Sequence, residues 1–168
     1  MSNNDKTVLT RLNYEELLNV LNEKFIEYWT RLWKLKVIFT NTGRFYSDMV
    51  EAPSLGKWKV CQSRRTETAM NRLRLGHVGT AQHLHRFNMR DSSICQMCST
   101  DEDISHFLLN CRRYNDQRQR VKRELESLRV EFNIRNLLGC ANLSNKIQKK
   151  IQKILVHFLV NTSRISEL

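Results

Sequence analysis

Proline occurs once in this chain, at position 53, and glycine only five times. With so few breakers, helix is the least costly backbone state over most of the length. Alternating polar and apolar runs bounded by turn pairs are missing, which leaves little room for strands. No apolar stretch nears the roughly 18 residues that a membrane span requires, so no membrane partner is expected. The first residues, MSNNDKTVLTRL, lack an apolar core and a small-residue cleavage site, so an intracellular, reducing compartment is expected. Acidic residues are also scarce, 17 against 28 lysines and arginines, for a formal charge of +11. A basic surplus of that size favours an anionic partner, and nucleic acid, RNA or DNA, is the commonest one.

The motifs of several enzyme classes are absent too. There is no G-x-S-x-G, no phosphate-binding loop, no dinucleotide glycine pattern and no H-E-x-x-H. No catalytic residue and no small-molecule substrate are therefore expected. His77, in RLRLGHVGT, resembles the histidine-bearing loop of an RNase H active site. That chemistry needs a cluster of carboxylates around two metals, and none is spaced for it nearby. His77 is read as a capping or contact residue. His83 and His85, two apart, fall on different faces of a helix and make a poor metal pair.

What is present is a series of helical signals. Asn13 and Glu16 have the spacing of a capping box, and they open an amphipathic run to about residue 39. Leu18, Leu21, Phe25, Tyr28, Trp29, Leu32 and Leu35 form its apolar stripe, and TNTG at 40–43 stops it. Residues 44–62 read as a loop with at most one short helix. Ser63 opens a second helix that Gly76 ends, and a short third runs from Thr80 to Phe87. A charged helix follows from residue 112, with Tyr114, Val121, Leu125 and Leu128 inward. A last one carries Ile147, Ile151, Ile154, Leu155, Phe158 and Leu159 on one side, a face that could also receive a partner. The expected fold class is all-α: a flexible N-terminus over 1–12, then a single helical domain over 13–168 with a small inserted element at 90–114.

That element is CQMCSTDEDISHFLLNC, residues 95–111, spaced C-x2-C-x7-H-x4-C. Four of the chain's ten cysteines and histidines fall inside it. In a reducing compartment such a cluster suits metal better than disulfides. Cys95, Cys98, His106 and Cys111 supply the sulfur and nitrogen donors of one tetrahedral zinc. Four protein ligands leave no position open for water, so the zinc is expected to be structural. Zinc deaminases need H-x-E before P-C-x-x-C; here Ile94 precedes Cys95 and no H-x-E occurs. Asp101, Glu102 and Asp103 read as N-terminal helix residues, with Thr100 or Asp101 as the cap. One difficulty remains. His106 and Cys111 are five apart, about 140° out of phase on an α-helix, and share an ion only if the helix frays or ends near Asn110.

The basic residues cluster. Arg72 and Arg74 lie on the second helix, and Arg112, Arg113, Arg118, Arg120, Lys122 and Arg123 directly follow the last ligand. These are the candidate nucleic-acid contacts, with Phe87 and Tyr114 as rings that could stack on bases.

The run Arg72-Leu73-Arg74-Leu75-Gly76-His77, then Leu84-His85-Arg86-Phe87 and Asp91-Ser92-Ser93-Ile94-Cys95, resembles the segment that follows the RNase H domain in non-LTR retrotransposon polyproteins. The likeness continues through Cys98, His106, Leu108, Cys111, Tyr114 and Arg118, and upstream through Trp29, Trp33 and Gly43-Arg44. It spans roughly residues 20–120. It implies a reverse-transcriptase-associated zinc-binding module that engages template RNA or target DNA, with the same four ligands and no catalytic residue. The retroviral knuckle differs, having four residues where this chain has seven. The expectation is a non-enzymatic, zinc-stabilised nucleic-acid-binding module; the alternative is a protein-interaction or scaffold module that docks on an acidic protein.

Overall fold

In the computed structural model, residues 13–52, 63–139 and 143–164 are described, and they are mostly helical. The proposed flexible segment 1–12, the Pro53–Gly56 loop, Cys61 and Cys140 lie outside them. Helix α1 spans Tyr14–Thr40 and begins as its sequence dictates. The Asn13 side chain accepts the Glu16 N–H at 2.9 Å, and the Glu16 carboxylate accepts the Asn13 N–H at 2.9 Å, so two orphan donors are satisfied reciprocally. It ends at Asn41, in the left-handed region at φ 54°; Gly43, at φ 71°, instead leads into α2 (Arg44–Met49).

Helix α3 (Arg64–Leu75) is capped by Ser63, whose hydroxyl accepts the Thr66 N–H at 3.3 Å. Gly76 closes it at φ 78°, and the His77 N–H returns to the Arg72 carbonyl at 2.9 Å. A side chain at Gly76 would be strained by that φ and would press on the Phe45 ring, 3.4 Å from the Cβ position. A short α4 (Ala81–Arg86) follows, and then the metal element. Beyond it come α5 (Asn115–Ser127), α6 (Ile134–Leu137), capped by Asn133, and α7 (Asn145–Asn161). Among the described residues no strand forms; one isolated antiparallel bridge joins Ile94 and Asp101.

Among the described residues, one cluster of buried apolar side chains runs from Met49 to Leu159. Met70 and Leu73 enter it from α3, Val121 and Leu125 from α5, and Ile151, Leu155 and Leu159 from α7. The α7 stripe is therefore spent on this core and is not the docking face first considered for it. Phe107 sits fully buried at the centre, edge-on to Tyr114 at 5.3 Å between ring centres and 5.7 Å from Phe158.

Helix α1 behaves differently. Its stripe is not buried: Leu21 is 55% exposed and Tyr28 61%, and only Val37 is fully covered. Trp33, half-buried, meets Tyr46 of α2 edge-on at 5.8 Å. The helix thus touches the core through its last two turns, on a face other than the apolar stripe.

Glu102 has a structural role that the sequence placed elsewhere. It is buried, its carboxylate accepts the Ala81 N–H at 3.2 Å, and it pairs with Arg164 at 3.2 Å and Arg90 at 3.6 Å. It serves the start of α4, not of its own helix.

Candidate metal centre

The two halves of the metal element are built differently. The first is a small hairpin: the Cys95 N–H bonds the Thr100 carbonyl at 2.8 Å, and the Glu102 N–H bonds the Ser93 carbonyl at 2.9 Å. At its tip the Cys98 and Ser99 N–H groups both turn back to the Cys95 carbonyl. Ser99 takes φ 57°, which lets the chain reverse between the first two cysteines and the strand-like residues after them.

The second half resolves the phase difficulty. Asp103, not Thr100 or Asp101, caps the helical turn, its carboxylate accepting the His106 N–H and its carbonyl the Phe107 N–H. Residues His106–Asn110 then form a π-helical turn, closed by the Cys111 N–H on the His106 carbonyl at 2.7 Å. That bond is i→i+5, and the wider turn brings residues five apart nearly back into phase. The helix also ends at Asn110, as the spacing required, and Cys111 leaves it with ψ 123°. Ile104, Phe107 and Leu108 are buried against the core, as their apolar character predicts.

Together these halves bring the ligand atoms of Cys95, Cys98, His106 and Cys111 within 4.8 Å of one another. The Sγ atoms of Cys95 and Cys111 are 3.8 Å apart, and those of Cys98 and Cys111 4.0 Å. A disulfide would need about 2.05 Å. The edge of a tetrahedron of sulfurs about 2.3 Å from one cation is about 3.8 Å. His106 supports the same reading. Its Nδ1 lies 3.3 Å from the Thr100 hydroxyl, while its Nε2 is buried without a hydrogen-bond partner. A buried ring nitrogen with no hydrogen-bond partner, in a histidine grouped with three thiols, is a donor that an ion could use, and Thr100 would fix the ring's tautomer. The four residues can hold one metal ion.

The thiols are not equivalent without a cation. Burial pushes the Cys111 thiol up to about 11. The Arg112 backbone N–H, 3.3 Å from the Cys98 sulfur, holds that thiol below its ordinary value. A coordinated dication overrides both effects by deprotonating the thiols outright.

Arg118 has a role that the sequence did not reveal. Its side chain is 3% exposed. Nε donates to the Leu108 carbonyl at 2.9 Å, and Nη2 to the carbonyls of Cys111 at 2.9 Å and Phe107 at 3.3 Å. These carbonyls lie at the end of the π-turn, where the helical ladder leaves acceptors unmatched. Burial lowers the pKa of this guanidinium, and the Cys111 and Cys98 sulfurs oppose that shift. Arg118 clamps the metal element and is withdrawn from the nucleic-acid set. Arg74 is withdrawn as well: it is buried, and its Nε donates to the Leu138 carbonyl at 2.7 Å.

The other expected basic contacts do face solvent. Arg112, Arg113, Arg120 and Arg123 are exposed, Arg72 is exposed on α3, and Lys122 is half-buried with its ammonium 5.1 Å above the Phe132 ring. Tyr114 is buried in the core and cannot stack on a base, whereas Phe87 is 54% exposed. His77 makes an edge contact with His83 at 5.5 Å, and burial lowers the pKa of His83. Among the described residues no helix is long and apolar enough to cross a membrane. Compared with protein-family models, with curated proteins and with solved structures, the chain matches none.

Proposed function

We propose that this chain is a non-enzymatic nucleic-acid-binding module stabilised by one structural zinc, of the type that follows the RNase H domain in non-LTR retrotransposon polyproteins. Three sulfurs and one imidazole suit zinc, and four protein ligands complete its tetrahedron. The observation that carries the reading is the junction at Cys111. Arg112 and Arg113 leave the last ligand directly, and the Arg112 N–H sits on the Cys98 sulfur. Their backbone is therefore anchored to the metal site while their side chains reach solvent. Arg120 and Arg123 extend the positive surface along α5. The mechanism is phosphate neutralisation, in a chain of formal charge +11 that one dication and three thiolates lower only to about +10.

The test is a salt titration of binding by fluorescence anisotropy, on a sample whose zinc has been quantified. Affinity for RNA or DNA is expected to fall steeply as salt rises. Arg112→Glu/Arg113→Glu should weaken binding at least about tenfold and reduce the salt slope by about 2 on duplex DNA, with zinc retained. A zinc-loaded sample that binds neither RNA nor DNA at low salt would sink the proposal. The protein-interaction reading is favoured by one observation, the uncovered stripe of α1.

A further inference from the structure

Helix α1 carries a heptad seam that the fold leaves open. Tyr14, Leu18, Leu21 and Phe25 alternate steps of four and three. The same four residue types recur fourteen positions on, as Tyr28, Leu32, Leu35 and Phe39. All eight positions are apolar or aromatic over nearly four heptads, and each is between 40 and 82% exposed. A stripe that only helped a helix lie on its own core would be covered and would follow a 3.6-residue period. A strict seven-residue repeat keeps one seam facing one partner helix and defines a left-handed coiled coil. The face toward the body is a different one: Thr30 and Trp33 are half-buried and Val37 is buried. In a heptad with Leu18 at a, Thr30 and Val37 occupy f and Trp33 occupies b, turned away from the a/d seam.

The charges choose the partner and its direction. Residues 14–27 hold four glutamates and one lysine, a net −3; residues 28–40 hold Arg31, Lys34 and Lys36 and no acid, a net +3. The helix is thus its own electrostatic complement when reversed. We infer that α1 pairs with the α1 of a second copy of this chain as an antiparallel coiled coil. One register seats all eight residues: Leu18 faces Leu35 of the other copy, Leu21 faces Leu32, Phe25 faces Tyr28, and Tyr14 faces Phe39. It also sets Glu15 beside Lys36 in the flanking positions. The one unfavourable flank is Lys24 beside Arg31, and Lys24 already has an ion pair at 3.0 Å with Glu27 of its own helix. Parallel pairing would instead stack −3 on −3 and +3 on +3, with Arg31 beside Lys36. The reversed arrangement places the two bodies at opposite ends of a rod about 40 Å long, clear of one another.

This inference does not depend on what the basic surface binds. Its test is sedimentation of the metal-loaded full chain at tens of micromolar, in high salt and free of nucleic acid. A dimer is expected. Leu21→Glu/Leu32→Glu should abolish it, weakening association at least about a hundredfold, because both substitutions fall in facing layers. Both residues are solvent-exposed in the single chain, so metal content should not change, and the melting temperature should lose only what dimerisation added. At low salt Lys36→Glu should weaken the dimer about fivefold, and Glu15→Lys/Lys36→Glu should restore it. A monomeric wild-type chain, or a Leu21→Glu/Leu32→Glu variant that dimerises as well as wild type, would overturn the inference. A Lys36→Glu chain that dimerises more tightly would show parallel pairing and overturn it too.

Discussion

Cys111→Ser, or removal of the metal by a chelator, should lower the melting temperature by about 10–20 °C and unfold residues 92–111 first. The reason is where the ligands sit. Cys95 and Cys111 are members of the apolar core, beside Phe107, Leu108 and Tyr114. The element they close supplies Phe107, the ring against which Tyr114 and Phe158 rest. Structural zinc sites supply about 10–16 kcal/mol of apparent binding energy at neutral pH, and much of that is folding energy. If half of the lower figure appears as stability, about 5 kcal/mol, the shift for a chain of this size is about 10–20 °C. Residues far from the element, such as Ile151 and Leu155 on α7, should lose amide protection later than Phe107. Differential scanning fluorimetry with and without chelator, followed by hydrogen exchange, measures both. An unchanged melt after complete metal removal would mean that the four side chains meet without structural consequence.

Arg118→Met should be nearly as damaging, although Arg118 is not a ligand. It removes a charged donor from three buried carbonyls, those of Phe107, Leu108 and Cys111, and offers nothing in return. An orphaned buried acceptor costs about 1–3 kcal/mol, so a total loss of about 3 kcal/mol is expected, or about 6–12 °C. Metal affinity should fall about 10- to 100-fold, as for other groups that orient ligands without touching the ion. Arg118→Lys should recover only part of either loss, because one ammonium cannot reach all three carbonyls with the fork of a guanidinium. Thermal melts and competition with a chromophoric chelator decide the matter. If Arg118→Met instead kept both and weakened only nucleic-acid binding, Arg118 would belong to the surface after all.

The parts of this fold that local chemistry determines were readable from the residues. Asn13 with Glu16, Ser63 and Gly76 mark helix ends by hydrogen bonds made within four residues, and all of them stand where their types required. The four side chains that meet were readable because thiols and an imidazole at that spacing have few other uses. What failed was long-range. Arg118 and Arg74 look like their solvated neighbours Arg120 and Arg72; only the tertiary fold brings carbonyls of Leu108 and Leu138 to them. The α1 stripe shows the steps of three and four that a core-facing helix also has, and only its strict seven-residue repeat and its exposure separate the two. The π-turn was invisible for a third reason. Its register comes from satisfying the metal site and the core together, and no residue type marks it.

The turn bears on how this loop tolerates changes in length. Deleting one residue between His106 and Cys111 would close an ordinary i→i+4 turn and still set histidine and cysteine on one side. An ion would accept that spacing. The deletion would, however, take one residue out of HFLLN and re-space the buried Phe107 and Leu108, disturbing the edge contact with Tyr114 and the carbonyls that Arg118 reaches. The five-residue interval is therefore set by the hydrophobic neighbours of the site rather than by its coordination chemistry. A one-residue deletion that keeps all four side chains should still take up a metal ion but lower the melting temperature.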